Sequence, residues 1–193
     1  MVRHAAHGLL GKVLVGRTPG IGLSADGVAQ AAILAQRFGE IEIGAVLSSP
    51  MERARQTAAP IAAAAGVPVE TIAGLNEIDV GDWTGAVFTT LEEQTAWEAW
   101  NRHRSLARCP GGETMLEVQA RAVAAVMHAS SRYPRQHVVM VSHQDVLKAV
   151  LAQIMGASLD HLERFSVEPA SRSIVTVFDN GGARVDSINL AVT

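Results

Sequence analysis

The sequence predicts an α/β fold: a three-layer αβα arrangement with helices on both faces of a mainly parallel open sheet. Three observations carry that expectation. Short apolar runs of strand length alternate with longer segments of helical period through most of the chain. Glycine and proline punctuate them, at Gly66, Pro110-Gly111-Gly112, Gly156 and Asn180-Gly181-Gly182. The 193 residues, 48% hydrophobic and 18% charged, suffice for one sizeable core and are too apolar for disorder, so a single domain over residues 1–193 is expected.

The elements follow in order. Only Met1 and Val2 precede Arg3, so the first strand is either very short or has lost residues to an early assigned start. Gly8 to Gly22 reads as a long loop with at most one brief helical turn, and long loops in compact domains are commonly functional. Ser24 caps a helix from Ala25 to about Phe38, with Asp26 in its first turn and Val28, Ala31, Ala32, Ala35 and Phe38 as its apolar stripe. Ile43 to Leu47 is a short buried strand. Ser49, Pro50 and Glu52 stand at the cap, first and capping-box positions of a second helix that runs to about Ala65 and stops at Gly66.

Val67 to Ile72 is the next strand, followed by a loop from Gly74 to Gly85. A helix is expected from Glu92 to Arg104, with Trp97 and Trp100 on neighbouring faces as packing residues. Another runs from about Glu113 to Ser130, opened by a Thr114/Glu117 capping box and striped by Leu116, Ala120, Val123 and Met127. The strand His137 to Val141 feeds a helix capped by Ser142, with Asp145 at its capping-box position, that ends at Gly156. Closing strands are expected at Leu162 to Val167 and Ser173 to Phe178, and Val185 to Leu190 reads as an edge strand or irregular.

Charge and cysteine usage narrow the class. A formal net charge of -3 gives no electrostatic reason to expect nucleic acid or an acidic membrane as partner. The sole cysteine, Cys109, excludes an intrachain disulfide and fits a reducing compartment; it reads as a small loop or core residue. No leader is seen and no apolar run approaches the roughly 20 residues that span a bilayer, so a cytoplasmic location is expected. No pattern decides for or against a homo-oligomer.

Basic groups recur where strands end. Arg3 and His4 follow the first strand, Arg53 lies in the first turn after the second, and His143 follows the strand from His137. A cation in a helix's first turn opposes the helix dipole unless an anion stands in front of it. Singly, each has an ordinary reading: Arg53 pairs with Glu52 or Asp82, Arg3 is solvated, and His143 caps a helix. If the three strands are neighbours, the side chains converge in one crevice at the carboxyl ends, and arginine forks with helix N–H groups match the oxygens of a phosphoryl group. His4, His7, His143 and Asp145 also include metal-ligand types. Their spacing matches no metal motif and Arg3 beside His4 favours an anion, so no metal and no cofactor is expected.

The ordered set of Val2-Arg3-His4, residues 48–58, Leu75-Asn76-Glu77 with residues 81–85, Pro110-Gly111-Gly112-Glu113 and Val141-Ser142-His143 resembles the motif blocks of the histidine phosphatase superfamily, the phosphoglycerate-mutase-like fold. Residues 16–24 and Gln144-Asp145 are similar to an uncharacterised, mostly actinobacterial branch labelled probable phosphomutase. The resemblance implies that His4 is a nucleophile that becomes transiently phosphorylated. It also implies that Arg3, Arg53 and His143 bind and polarise the phosphoryl group, and that Glu77 is the general acid. Asp79 and Asp82 are runner-up acids that miss the family's Leu-x-Glu pattern.

Three departures from the family pattern stand out. Ala5 replaces the usual glycine, Leu10 stands at the offset of a phosphate-contacting asparagine, and His7 replaces a small polar or hydroxyl residue. His7 either touches phosphate or has no catalytic part. The insertions of the larger phosphoglycerate mutases are missing. The expected activity is therefore hydrolysis of a small phosphate monoester, with a phosphomutase and a non-catalytic phosphate-ligand binder as alternatives. Trp83, Trp97, Trp100 and the Gly8-to-Gly22 loop are candidates to shape the entrance.

Overall fold

A computed structural model of the chain describes residues 1–191. Its strands are β1 (Val2–Arg3), β2 (Ile43–Ser48), β3 (Val69–Thr71), β4 (His137–Ser142), β5 (Arg172–Val177) and β6 (Ala183–Leu190). They form one sheet in the order β3-β2-β4-β1-β5-β6. The four strands from β3 to β1 are parallel, and β5 and β6 add an antiparallel edge. The helices are α1 (Ala25–Phe38), α2 (Glu52–Ala65), α3 (Phe88–Leu91), α4 (Thr95–Arg102), α5 (Met115–Arg132) and α6 (Gln144–Met155).

Period-two alternation along the central strands builds the three layers. Val46, Val139 and Val141 join Leu34 of α1 and Ile61 of α2 in one core. Their neighbours Ala45, Leu47 and Met140 join Met115 and Val118 of α5 and Val146 and Val150 of α6 in the other. A parallel sheet covered on both faces needs apolar side chains in both directions, hence the unbroken apolar runs.

Two helices present a different face from the one expected. The buried residues of α1 are Gly27, Ala31 and Leu34, while Val28 is 59% exposed. A side chain at Gly27 would collide with the Ala6 carbonyl, so the loop after β1 packs directly on this helix and sets its rotation. In α5 the buried line is Met115, Val118, Ala122, Val126 and Ala129, and Leu116 is 52% exposed. Both helices are rich in alanine, which suits either face.

The caps divide in the same way. The Ser24 cap of α1 and the Thr114/Glu117 capping box of α5 form as expected. By contrast α2 starts after Met51 with no side-chain cap, and Ser49 Oγ accepts the Met51 N–H, 3.2 Å away, ahead of the helix's first turn. Ser142 does not cap α6, because its hydroxyl donates to the Leu75 carbonyl at 2.7 Å; Asp145 pairs with Arg104 at 3.1 Å instead of closing a capping box.

The expected helix over residues 92–104 is shorter, α4 alone (Thr95–Arg102), and the single turn of α3 precedes that span. The two part at Gln94, which receives the Trp83 indole N–H at 3.1 Å and stands at the cap of α4. The third strand is shorter than residues 67–72. The segment expected as a strand over residues 162–167 overlaps a 3₁₀ stretch, Leu159–Arg164, opened by Ser158, and forms no ladder. Below the short β1, a cavity of about 520 Å³ separates the amino end of β4 from the carboxyl end of β5, lined by Met127, Tyr133, His137, Val175 and Phe178 among others.

Candidate active site

Because β2, β4 and β1 are adjacent and parallel, their carboxyl ends open on one side of the sheet. Arg3 ends β1 and His4 follows it. Ser49 follows β2 and leads to Arg53 in α2; His143 joins β4 to α6. These side chains meet: Arg3, His4, Arg53 and His143 are all buried, with 8%, 3%, 1% and 0% of their surface exposed. The rings of His4 and His143 are 5.1 Å apart, and those of His4 and His7 5.5 Å. Arg3, His4, His7 and Arg53 line a cavity of about 460 Å³ with Glu77, Asp145, Arg104, Trp97 and Trp100, and His143 touches Arg53 and Glu77 beside it.

The hydrogen bonds of His4 fix its tautomer. Nδ1 lies 2.8 Å from the Ala5 carbonyl, which can only accept, so Nδ1 carries the proton and Nε2 keeps a free lone pair. The loop behind it is tied down twice. The Ala5 N–H donates to Thr57 Oγ1 at 2.9 Å, and that hydroxyl donates to the Arg53 carbonyl at 2.7 Å. Ala5 has no left-handed φ, so its replacement of glycine carries no backbone strain.

Arg53 Nη2 donates to the Gly16 carbonyl at 2.9 Å and lies 3.2 Å from His143 Nδ1 and 3.5 Å from Glu77 Oε2. A guanidinium only donates, so His143 Nδ1 accepts and its Nε2–H donates to Ser49 Oγ at 2.7 Å. Glu77 Oε2 is 3.3 Å from the same Nδ1, while its Oε1 accepts the Ile78 N–H at 2.9 Å. Arg3 Nη1 donates to the Val167 carbonyl at 2.7 Å. The Nε atoms of Arg3 and Arg53 and His7 Nδ1 are buried without a protein partner, a donor set that suits the oxygens of an anion.

Electrostatics divide the groups into acids and bases. Burial raises the Glu77 carboxyl to about 7; Arg53 opposes this and Asp145 adds to it. Glu77 is therefore substantially protonated near neutrality, and its O–H can donate to His143 Nδ1. Burial, then the charge of Arg53, pushes His4 well below the ordinary imidazole value, and His7 down to about 4. His143 is also held well below it, by burial and then His4. Neutral imidazoles beside fixed guanidiniums are the arrangement a nucleophilic histidine needs.

The other expected residues lie apart. Asp79 accepts the Gly81 N–H and faces Arg17 at 3.5 Å, and Asp82 is exposed against Gly111; neither lines the cavity. Asp145 does line it, paired with Arg104. Leu10 contributes apolar wall. Trp97 and Trp100 stack at 5.3 Å and form wall, whereas Trp83 packs edge-on behind them. Burial pushes the Cys109 thiol up to about 12, so it is no nucleophile.

Sequence patterns did not reveal Ser49 as the partner of His143, because its cap signature was the stronger local signal. Nor did they reveal the Gly16 carbonyl or Thr57. His4, Glu77 and His143 present ligand atoms within 4.8 Å of one another, a spacing that could hold a metal ion. Arg53 lies against two of those atoms, and with Arg3 it gives the site the charge for an anion rather than a dication.

The profile of the histidine phosphatase superfamily (branch 1) matches residues 1–191. An uncharacterised protein of Mycobacterium tuberculosis is 34% identical over 199 aligned residues, which cover 97% of this chain and 93% of that protein. Phosphoserine phosphatase 1 of Hydrogenobacter thermophilus is 30% identical over 166 residues, 83% of this chain and 79% of that one. Among solved structures, mycobacterial glucosyl-3-phosphoglycerate phosphatase superposes with a TM-score of 0.88 at 24% identity, covering 99% of this chain and 97% of that one.

Proposed function

The chain belongs to branch 1 of the histidine phosphatase superfamily, and from that premise we propose that His4 is its nucleophile and Glu77 its proton donor in hydrolysing a small phosphate monoester. The observation that carries the reading is the free Nε2 lone pair of His4, buried among two guanidiniums and beside a carboxyl that holds its proton near neutrality.

Nε2 attacks phosphorus as the ester P–O bond breaks, and the Glu77 proton passes to the leaving oxygen. Arg3 and Arg53 hold the phosphoryl oxygens in both steps, and His143 joins them in the tautomer that carries its proton on Nδ1, with Ser49 Oγ then donating to its Nε2; His7 adds a contact through Nδ1. The Glu77 carboxylate then takes a proton from water as that water attacks phosphorus and the P–N bond breaks, releasing phosphate. The chemistry uses no metal or cofactor, and the substrate is a small phosphorylated metabolite.

The chain acts as one domain in the cytoplasm, without nucleic acid. Among the described residues no helix is long and apolar enough to cross a membrane. Membership of the actinobacterial branch is supported by the mycobacterial relative at 34% identity. The phosphoserine phosphatase relative favours hydrolysis over a mutase reaction.

A panel of phosphomonoesters, read by phosphate release with and without chelator and by rapid-quench intact mass, tests the reading. The expected result is chelator-insensitive turnover with a transient adduct of one phosphoryl group that is lost in His4→Ala. Turnover with no adduct would overturn the covalent route. Isomerisation of a phosphorylated metabolite without phosphate release would establish the mutase instead.

A further inference from the structure

Outside the cavity lining, two arginines and a glutamate from two distant stretches, the loop before α1 and the start of α5, meet at the Glu77 backbone. Arg17 Nε and Arg121 Nη2 both donate to the Glu77 backbone carbonyl, at 2.8 and 3.1 Å. Arg121 Nη1 also donates to the carbonyls of Gly74 and Asn76, at 2.9 and 2.7 Å. Both guanidiniums are anchored on one carboxylate. Glu113 Oε2 accepts from Arg17 Nη2 at 2.9 Å, Arg121 Nη2 at 3.0 Å and the Asp79 N–H at 2.9 Å, while Oε1 accepts from Arg121 Nε at 3.0 Å.

The turn that carries Glu113 is pressed onto the same loop. Its N–H donates to the Asp79 carbonyl at 2.8 Å, and side chains at Gly81 or Gly112 would collide with the backbone opposite. The segment bearing Glu77 is thus held at residues 74, 76, 77 and 79 by groups that Glu113 organises.

We propose that Glu113 is the positioning residue for Glu77: it locks Arg17 and Arg121 into a bracket on the Glu77 backbone and cancels the charge those guanidiniums would otherwise bring to the carboxyl. The proposal rests on Glu77 as the proton donor. Its second half follows from where the charges stand. Glu77 faces Arg53 of α2, Arg3 and His4 after β1, and His143 and Asp145 at the start of α6, with Arg17 and Arg121 at its backbone carbonyl. Asp79 also pairs with Arg17 at 3.5 Å, so without Glu113 one uncompensated cation stands at that range, and it would favour the carboxylate and remove the proton the leaving group needs.

Glu113→Gln separates the possibilities. Expected are a kcat about 10- to 100-fold lower with KM little changed, and an alkaline limb of the kcat/KM profile displaced by about one unit to lower pH, the scale of one unbalanced charge at an effective dielectric near 20. Arg17→Gln combined with Glu113→Gln restores the net charge but not the bracket, so the limb returns while kcat stays low. Glu117→Ala, which removes the capping box of the same helix, controls for lost stability and leaves the limb in place. An alkaline limb unmoved in Glu113→Gln overturns the proposal, whatever happens to the melting temperature. If Glu113→Gln does not fold, Arg17→Gln alone decides: kcat unchanged overturns the bracket. Full activity in Glu77→Gln would instead remove the underlying reading.

Discussion

Two cavities of similar size, about 520 and 460 Å³, lie at opposite ends of the same sheet. The larger sits at the amino end of β4, beside the carboxyl end of α5, and His137 there is exposed to solvent. The smaller sits where three parallel strands end and α2 and α6 begin, and three buried arginines and two buried histidines line it. Volume does not distinguish them. Strand carboxyl ends do, because there the loops and helix amino ends converge and a buried cation can be matched by an incoming anion.

The most severe way to test the contrast is to alter each cavity in turn. His4→Ala should lower turnover by more than about 10⁴-fold, whereas Met127→Trp in the larger cavity should leave kcat/KM within about twofold while changing the melting temperature. Comparable losses from both would mean that the lower cavity takes part in the reaction. Next in size is Glu77→Gln, expected to cost about 10² to 10⁴-fold on an ester with a poor leaving group. The loss should shrink on p-nitrophenyl phosphate, whose leaving group needs little protonation.

Acidity gives a third test. With the Glu77 carboxyl at about 7, kcat/KM should fall as pH rises through neutrality, and Glu77→Gln should remove that limb. Stability carries the same signature. The folded state holds this proton more tightly than the unfolded chain does, so the Glu77 contribution is full below about 4.5 and is lost as pH rises through about 7. The histidines act in the opposite sense. His7, lowered from 6.5 to about 4, contributes above 6.5 and loses that contribution as pH falls toward 4, and His4 and His143 share the sign. Melting temperatures of wild type and Glu77→Gln across pH 4 to 8 measure this directly.

The smallest effects concern the helix face. Val118→Ala should destabilise by about 2 kcal/mol, while Leu116→Glu on the same helix should stay within about 0.5 kcal/mol, in denaturant unfolding. The reverse ranking would restore the stripe that residue type alone suggests.

That stripe marks the limit of what the sequence makes legible. The order of strands and helices can be read because apolar period changes sharply between Ile43–Ser48 and Glu52–Ala65, and again between His137–Ser142 and Gln144–Met155. The meeting of Arg3, Arg53 and His143 follows from parallel neighbouring strands. Helix rotation is another matter. In α1 and α5 alanines occupy both candidate faces, and a contact from outside decides, as the Ala6 carbonyl does at Gly27. Ser49 and Ser142 each carry a local cap pattern yet bond to groups far along the chain, His143 and the Leu75 carbonyl. Such bonds reward tertiary closeness, which no local window contains.

The single hydroxyl of Thr57 has a mechanical consequence. By receiving the Ala5 N–H and donating to the Arg53 carbonyl, it hitches the histidine's loop and the arginine's helix to the same rung of α2. A slide of that helix along the sheet would carry both partners together and leave their mutual alignment intact. His143 is tied to the same unit, because the His4 N–H donates to the Ser142 carbonyl at 2.9 Å and Arg53 Nη2 lies 3.2 Å from His143 Nδ1, so the three side chains keep their alignment as one body.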